Sequence, residues 1–446
     1  MSPDNRNSIH VAIVGGGIAG LILALSLQKR GIGYTLYERA PKFTEIGAGI
    51  GFSPNAERAL KIVDPEVYRV YKQVANTSTA EEYFQWVDGY NTNEVAAKLL
   101  IGIDAFHGGR RSDFLEAWSQ LVDEDKVTFD KEAVSFTHKD DGRVLLEFKD
   151  GTAEEADIAI GCDGINSRVR QFIAGTSNPA SYPSYTNKYC YRALIPMDKA
   201  LGALGTERAM GGETLNRFIY NGPNAHLIIY PVANNRFLNV LFVISDPNPW
   251  HTEDGRHIAP GTKADAIRAY ADWHPHVRDL VDLLPDELQK WAIFDLFEHP
   301  LQRYYHGSVA VAGDAAHAAG PHLGSGAGFG IEDALVLASI LESADTKLKS
   351  TNRNAKVELC RAALIAYNSV RYDRTQWLIG ATREACALFH WQDEAVGSDF
   401  DKFLPEISKR FHTIWDNDIH KMVQGAIKEF EEVLVSKPNI QTSLLN

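Results

Sequence analysis

Cysteine is scarce in this chain: four in 446 residues, Cys162, Cys190, Cys360 and Cys386. None forms a Cys-x-x-Cys pair, so no structural metal site and no disulfide scaffold are expected. The scatter suits a reducing compartment, and a cytoplasmic location is expected. No apolar run reaches the ~18 residues that a membrane-spanning helix needs, so no membrane span is expected. The first ten residues are polar, unlike a secretory leader, and the terminal Ser-Leu-Leu-Asn matches no retention or peroxisomal address. Positive charge is in deficit, 45 Lys and Arg against 58 Asp and Glu, for a net −13. That argues against nucleic acid or an anionic membrane as the main partner. Internal repeats and low-complexity stretches are missing too. The length, with 45% hydrophobic residues, predicts two or three packed units and a sizeable core.

What the chain does have is glycine set in a pattern. An apolar run, His10 to Val14, reads as a buried strand. It runs into Gly15-Gly16-Gly17-Ile18-Ala19-Gly20, which satisfies G-x-G-x-x-G. A helical stretch from Leu21 to Arg30 follows and stops at Gly31; a second strand, Tyr34 to Tyr37, ends on Glu38. Gly15 permits the tight turn, Gly17 lets a pyrophosphate approach the backbone, and Gly20 lets the helix lie close on the strand. The helix N-terminus favours phosphate, and Glu38 stands near the ~20-residue offset where a carboxylate meets ribose hydroxyls.

Further along, Thr44 to Ser53 carries Gly47, Gly49 and Gly51, a loop signal suited to a flat ligand. Phe84 and Trp86, in the strand-like Glu82 to Tyr90, read first as core aromatics. Arg110 and Arg111 precede a helix, as a solvated pair or an anion clamp. Val127 to Phe148 reads as strands. The strand Asp157 to Gly161 delivers Cys162-Asp163-Gly164, with a helix behind it. From Tyr182 to Asp246, period-2 alternation with expected turns at Asn221-Gly222 and Asn234-Asn235 indicates an antiparallel sheet. Trp250 to Gly261 reads as a polar loop, and Lys263 to Leu283 as helix broken at His274-Pro275. Ser308 to Val311 is a strand feeding Gly313-Asp314, a glycine loop from Pro321 to Gly328, and a helix from Gly330 to Glu342. Here Asp314 can accept hydrogen bonds from a polyol, and the loop N–H groups can hold negative charge. Lys356 to Phe389 and Asp401 to Val435 read as amphipathic helices.

With GGGIAG, CDGINSRVR and GDAAHAAGPHLGSGAGFG in this order, the chain resembles the class A flavoprotein monooxygenases, the aromatic hydroxylase family, over essentially its whole length. The resemblance implies an α/β fold: a Rossmann-like FAD-binding domain, an inserted antiparallel β-sheet substrate lobe and a helical C-terminal region. The expected division is 1–80, 101–180 and 290–345 for the FAD-binding domain, 81–100 and 181–289 for the substrate lobe, and 346–446 for the C-terminal helices. FAD is the implied bound cofactor, with NADPH or NADH as transient co-substrate. The implied cofactor-binding residues are Gly15, Gly17, Gly20, Glu38, Arg39, Gly51, Arg111, Asp163, Asp314, Pro321, Gly324, Gly326 and Ala327. The family assigns the Asp163-Gly164 motif, with Ser167 and Arg170, to both FAD and the nicotinamide donor.

Within the family, Tyr191-Arg192-Ala193, FQWVDGY and the run Gly222 to Asn234 are similar to salicylate hydroxylases and to fungal hydroxylases of phenolic polyketides, some of them dearomatising. Arg192 and Tyr230 match an Arg and a Tyr that grip a phenolate, and they are the candidate catalytic pair. The implied partners are a small aromatic substrate and O2, in a monomer or homodimer, and the implied reaction is hydroxylation through a flavin C4a-hydroperoxide. A structural salt bridge for Arg192 and a core role for Tyr230 are the plainer readings. His226, His317 and His322 read as structural. The implied substrate is a hydroxybenzoate such as salicylate or a phenolic polyketide; hydroxylative dearomatisation of an acylated resorcinol-type polyketide is the alternative within the family, and a flavin-binding regulatory protein without turnover the alternative of another class. Strand alternation predicts Arg192 and Leu194 on one face, and His226, Ile228 and Tyr230 on one face.

Overall fold

The computed structural model describes residues 8–43, 49–77, 79–204, 217–233, 235–252, 255–350 and 355–436. Gly47 and Asn234 lie outside this set.

Two large sheets organise the molecule. The first has six strands in the order Tyr305–His306, Val309–Val311, Ile158–Gly161, His10–Val14, Gly33–Tyr37 and Val127–Thr128. His10–Val14 sits at its centre, parallel to both neighbours. Its side chains from Val11 to Val14 are buried, as a strand covered on both faces requires. The following helix, Ile18–Lys29, buries an unbroken run from Gly20 to Leu27. A helix that is apolar all round must be covered all round, and this one is packed between the sheet and the long helix Gly326–Ser350. Gly313 and Gly330 allow the close approach: a Cβ on either would stand 2.9 or 3.2 Å from the Ala19 Cβ.

The second sheet has eight strands in the order Ile258–Thr262, Glu287–Asp295, Ser184–Pro196, Phe237–Ser245, Ala225–Val232, Arg217–Gly222, Glu81–Asp88 and Val95–Ile103. One face carries Tyr191, Tyr220, Leu227, Ile229, Val240 and Phe242 into a core shared with residues of the helices Met197–Leu204, Lys263–Ala269 and Pro275–Asp282. The alternate residues turn the other way. Ile219, Ile228, Leu241 and Arg192 form one cross-strand row, with Tyr230 opposite Asn239 in the next. The Arg192–Leu194 and Ile228–Tyr230 alternation is as expected.

The helix Lys356–Phe389, 34 residues long, ties the halves together. Leu359, Ala363 and Tyr367 belong to the first core, while Leu378, Ala385 and Phe389 join Trp86, Phe403 and Phe411 against the second sheet.

Several sequence expectations are corrected. Asn221 and Gly222 end a strand, and the turn follows them, with Asn224 at φ 60°. Gly222 is set by packing, since a Cβ there would stand 2.6 Å from Trp273. The expected polar loop after Trp250 contains the edge strand Ile258–Thr262; Pro260 is tolerated there because an edge leaves one side unpaired. Its neighbour Glu287–Asp295 carries no clear alternation in sequence. The expected glycine loop ending at Gly328 is shorter: after Gly324, at φ 60°, the helix begins at Gly326 rather than Gly330. Gly328 belongs to its first turns, where a Cβ would stand 3.0 Å from the Ala56 Cβ.

Candidate active site

One cavity of about 1160 Å³ runs between the two sheets. It exceeds the usual range for one small ligand, about 300–1,000 Å³. Fourteen of the fifteen residues singled out from sequence line it: Gly15, Gly17, Glu38, Arg39, Gly51, Arg111, Asp163, Asp314, Pro321, Gly324, Gly326, Ala327, Arg192 and Tyr230. Gly20 does not. It is buried inside its helix, where a Cβ would collide with the Gly15 carbonyl oxygen, so its part is close packing.

The first end of the cavity is built from turns. Gly15 has φ 102°, and a Cβ on it would stand 2.6 Å from the Cys162 carbonyl oxygen; both geometry and space demand glycine. Gly17 differs. A Cβ there would meet no protein atom within 4 Å, so nothing in the protein itself requires its absence. Glu38 is oriented by two N–H donors, Gly16 at 2.6 Å and Ala40 at 2.8 Å. Asp163 accepts from the Arg168 and Val169 N–H groups through Oδ2, while its Oδ1 is buried without a partner. Burial raises its pKa above the usual carboxylate value. Asp314 is exposed into the cavity between buried neighbours. An orphaned carboxylate oxygen, an open space above Gly17 and a helix starting at Gly326 fit a ligand with hydroxyls and phosphates.

Arg170 does not reach the cavity. It is fully buried and donates to the carbonyls of Ala180, Ala315, Ala316 and His299. It clamps the Asp163 motif to the Asp314 motif instead of touching a ligand. Burial lowers its pKa to about 10.

Beneath the Gly313 turn lies a buried ionic network. Asp333 accepts from the Gly313 N–H at 2.9 Å, pairs with His317 at 2.5 Å and takes Arg371 Nε at 2.7 Å. Glu332 takes Arg371 at 2.6 Å, Arg374 at 2.9 Å and Asn55 at 2.8 Å. Burial alone would raise both carboxyl pKa values. Arg371 and Arg374 for Glu332, and His317 and Arg371 for Asp333, hold each at about 2. His317 is therefore structural, as expected.

The second end is the face of the eight-stranded sheet. Arg192 lies 5.5 Å from the Trp291 ring and has no carboxylate partner among the described residues. Arg217, nearby, is committed: it pairs with Glu82 at 3.0 Å and donates to the Phe106 carbonyl. Burial raises the Tyr230 hydroxyl to about 12, with Arg192 and Arg217 pulling the other way. Phe84, expected as plain core, borders the cavity, with Phe106, Ile219, Ile228, Leu241 and Phe411; Trp86 is plain core, fully buried.

His226 and His322 are buried beside this wall. His226 Nδ1 lies 2.7 Å from His390 Nε2, and His390 Nδ1 lies 2.9 Å from Ser245 Oγ. His226 Nε2 and His322 Nδ1 are buried without partners among the described residues. Burial, then neighbouring cationic groups, lowers the pKa of all three rings, His322 to about 3.

Sequence reading missed Arg217, Phe106, Phe411 and Asn239. The one available signal was Asn239, a lone amide inside the apolar run Phe237 to Ile244.

Comparison with known proteins gives the family and the fold. The family profile described as "FAD binding domain" matches residues 8–349. The chain is 43% identical over 440 residues to the FAD-dependent monooxygenase orf3 of Aspergillus niger, covering 96% of this chain and 98% of that one. It is 39% identical over 443 residues to the salicylate hydroxylase asL1 of Sarocladium schorii, covering 95% and 91%. Among solved structures, a salicylate hydroxylase substrate complex superposes with a TM-score of 0.83 at 27% identity, over 95% of this chain and 99% of that one.

Proposed function

We propose that this chain, which belongs to the FAD-binding-domain family of FAD-dependent monooxygenases, hydroxylates a phenol held as its anion by Arg192 and Tyr230. FAD is its cofactor, and NAD(P)H is the electron donor typical of the class. When bound, the flavin activates O2 for transfer to the ring; the rest is the work of the protein's own groups.

At the first end, the open backbone at Gly17 would meet the pyrophosphate, Gly15 makes the tight turn with its own N–H held by the Tyr37 carbonyl, and Glu38, with Arg39 beside it, would meet the adenosine side. Asp163, through its Oδ1, and Asp314 would accept from hydroxyls of the cofactor. Pro321, Gly324, Gly326 and Ala327 would present backbone and a helix N-terminus to the flavin, and that N-terminus favours negative charge. Gly51 and Arg111, which also line the cavity, would hold the cofactor with them.

At the second end, Arg192 supplies a permanent charge in a planar donor fork. It lowers the cost of ionising a phenol, and a phenolate is the better nucleophile toward oxygen. Tyr230, neutral at physiological pH, donates its hydroxyl to the same oxygen and fixes the ring's orientation. Phe84, Phe106 and Phe411 keep the site apolar, so that the oxidant is spent on substrate rather than water.

The observation that carries this reading is a single cavity with glycine turns and an orphaned carboxylate at one end and, at the other, a guanidinium with no carboxylate partner among the described residues beside a tyrosine. The test is NAD(P)H oxidation by the purified yellow protein over a panel of hydroxybenzoates and acylated resorcinols, with product masses. Gain of one oxygen by a phenol is the expected result; oxidation of NAD(P)H that no phenol stimulates would overturn it.

A further inference from the structure

The substrate wall holds one polar side chain to which no role has yet been given. Asn239 is 8% exposed and lines the cavity, and its amide makes no hydrogen bond to any described residue. An amide taken from water and left unpaired costs folding free energy, so an unpartnered one on a cavity wall points to a ligand. Its position is well defined. Asn239 stands directly opposite Tyr230 across two antiparallel strands. A Cβ on Gly49 would be 2.7 Å from Asn239 Oδ1 and 2.6 Å from the Tyr230 hydroxyl. Both groups thus crowd one spot, and Gly49 leaves it free. Directly opposite residues on one sheet face reach neighbouring atoms of a bound ring.

Charge limits what those atoms can be. Of the two guanidiniums at this end, Arg217 is matched by Glu82, while Arg192 has no carboxylate partner among the described residues. Ionising the phenol uses that charge. A carboxylate next to the phenolate would have no second cation and would lie against a neutral amide, a costly place for an anion. A carbonyl or hydroxyl there finds a matching donor or acceptor in the amide.

From this we infer that Asn239 is a specificity-determining residue: it reads a neutral oxygen substituent ortho to the ionised phenol oxygen and so favours acylphenols over hydroxybenzoates. This rests on the proposed phenol hydroxylation. It also divides labour along the wall, with Arg192 and Tyr230 gripping the ionised oxygen and Asn239 gripping its neighbour.

The test uses the holoenzyme and three matched rings: resorcinol, 2,4-dihydroxybenzaldehyde and 2,4-dihydroxybenzoate. For the wild type, kcat/KM for product formation should favour the aldehyde over each of the others by roughly tenfold, the worth of one good hydrogen bond. Asn239→Leu should erase the preference for aldehyde over resorcinol while leaving FAD content and melting temperature unchanged. Asn239→Ser, smaller and still polar, serves if the leucine variant does not fold. A benzoate preference in the wild type, or an aldehyde preference that survives in the variants, overturns the assignment of Asn239 while the phenol hydroxylation stands. Failure of all three rings and of the wider panel to gain oxygen overturns both.

Discussion

A glycine can be required by the protein or by what the protein binds, and the two kinds separate here. Gly15 is held by its positive φ and by the Cys162 carbonyl, whereas Gly17 is crowded by nothing. Gly17→Val should therefore fold as well as wild type yet carry no FAD, because its branched side chain enters the pyrophosphate space. Flavin absorbance and the melting curve of the purified variant check this; full flavin occupancy would remove the assignment of the first turn. Asp314→Ala should weaken FAD binding by about 1.5–3 kcal/mol, roughly ten- to a hundredfold, through loss of a charge-assisted hydrogen bond. Titration of the apoprotein with FAD measures it, and an unchanged dissociation constant would mean that the carboxylate faces something else. Gly49→Ala acts at the other end. Its methyl meets the Tyr230 hydroxyl and the Asn239 amide, which can swing aside, so KM for the phenol should rise about tenfold with FAD binding intact.

Among elements, the Gly313 turn depends on two helices behind it. Arg371, from Lys356–Phe389, neutralises Glu332 and Asp333 of Gly326–Ser350, and Asp333 in turn holds the Gly313 N–H. Arg371→Met leaves two buried carboxylates short of a cation, which typically costs about 3–5 kcal/mol. Urea unfolding should show that loss, and FAD should dissociate more readily as the turn loosens; stability within ~1 kcal/mol of wild type would mean that Arg374 and His317 suffice. Nothing in the sequence announced this network. Glu332, Asp333, Arg371 and Arg374 read as the charged faces of amphipathic helices, because periodicity cannot tell a solvated charge from one covered by a third element. The glycine turns and their strands were legible, since each answers to local backbone geometry. Arg192 and Tyr230 were legible as a pair only through strand alternation and family resemblance. Asn239 was visible only as a lone amide in an apolar run; its meaning comes from Tyr230 on the neighbouring strand and Gly49 in a different sheet. Arg170 misled for the same reason: its partners are backbone carbonyls brought in by residues far along the chain.

For the whole molecule, three buried histidines near the wall that carries Arg192 and Tyr230 are expected to set an acid limit. Their folded pKa values lie below the ordinary 6.5, so the unfolded chain takes up protons first as pH falls. The stability of the neutral rings is fully present above about 6.5 and declines below it. Each histidine contributes up to ~1.4 kcal/mol per pH unit until its folded pKa is reached, which for His322 is about 3. Glu332 and Asp333 add the same sign only below their unfolded values of 4.5 and 3.8. The melting temperature of the holoenzyme should therefore begin to fall near pH 6.5, and the His322→Gln, His390→Gln double variant should flatten the slope between pH 6 and 5. A decline beginning only below pH 4.5 would assign the acid limit to the carboxylates alone.

The fold brings the sheet of the glycine turns and the sheet that carries Arg192 and Tyr230 to one cavity, and the yield of hydroxylated product per NAD(P)H oxidised tests the proposed union most directly. Wild type should turn most of its NAD(P)H into product with a good phenol. Arg192→Lys and Tyr230→Phe should keep FAD and melting temperature, lose product yield and release the difference as hydrogen peroxide. Wild-type yields in both variants, or losses that only track the amount of folded protein, would contradict the account.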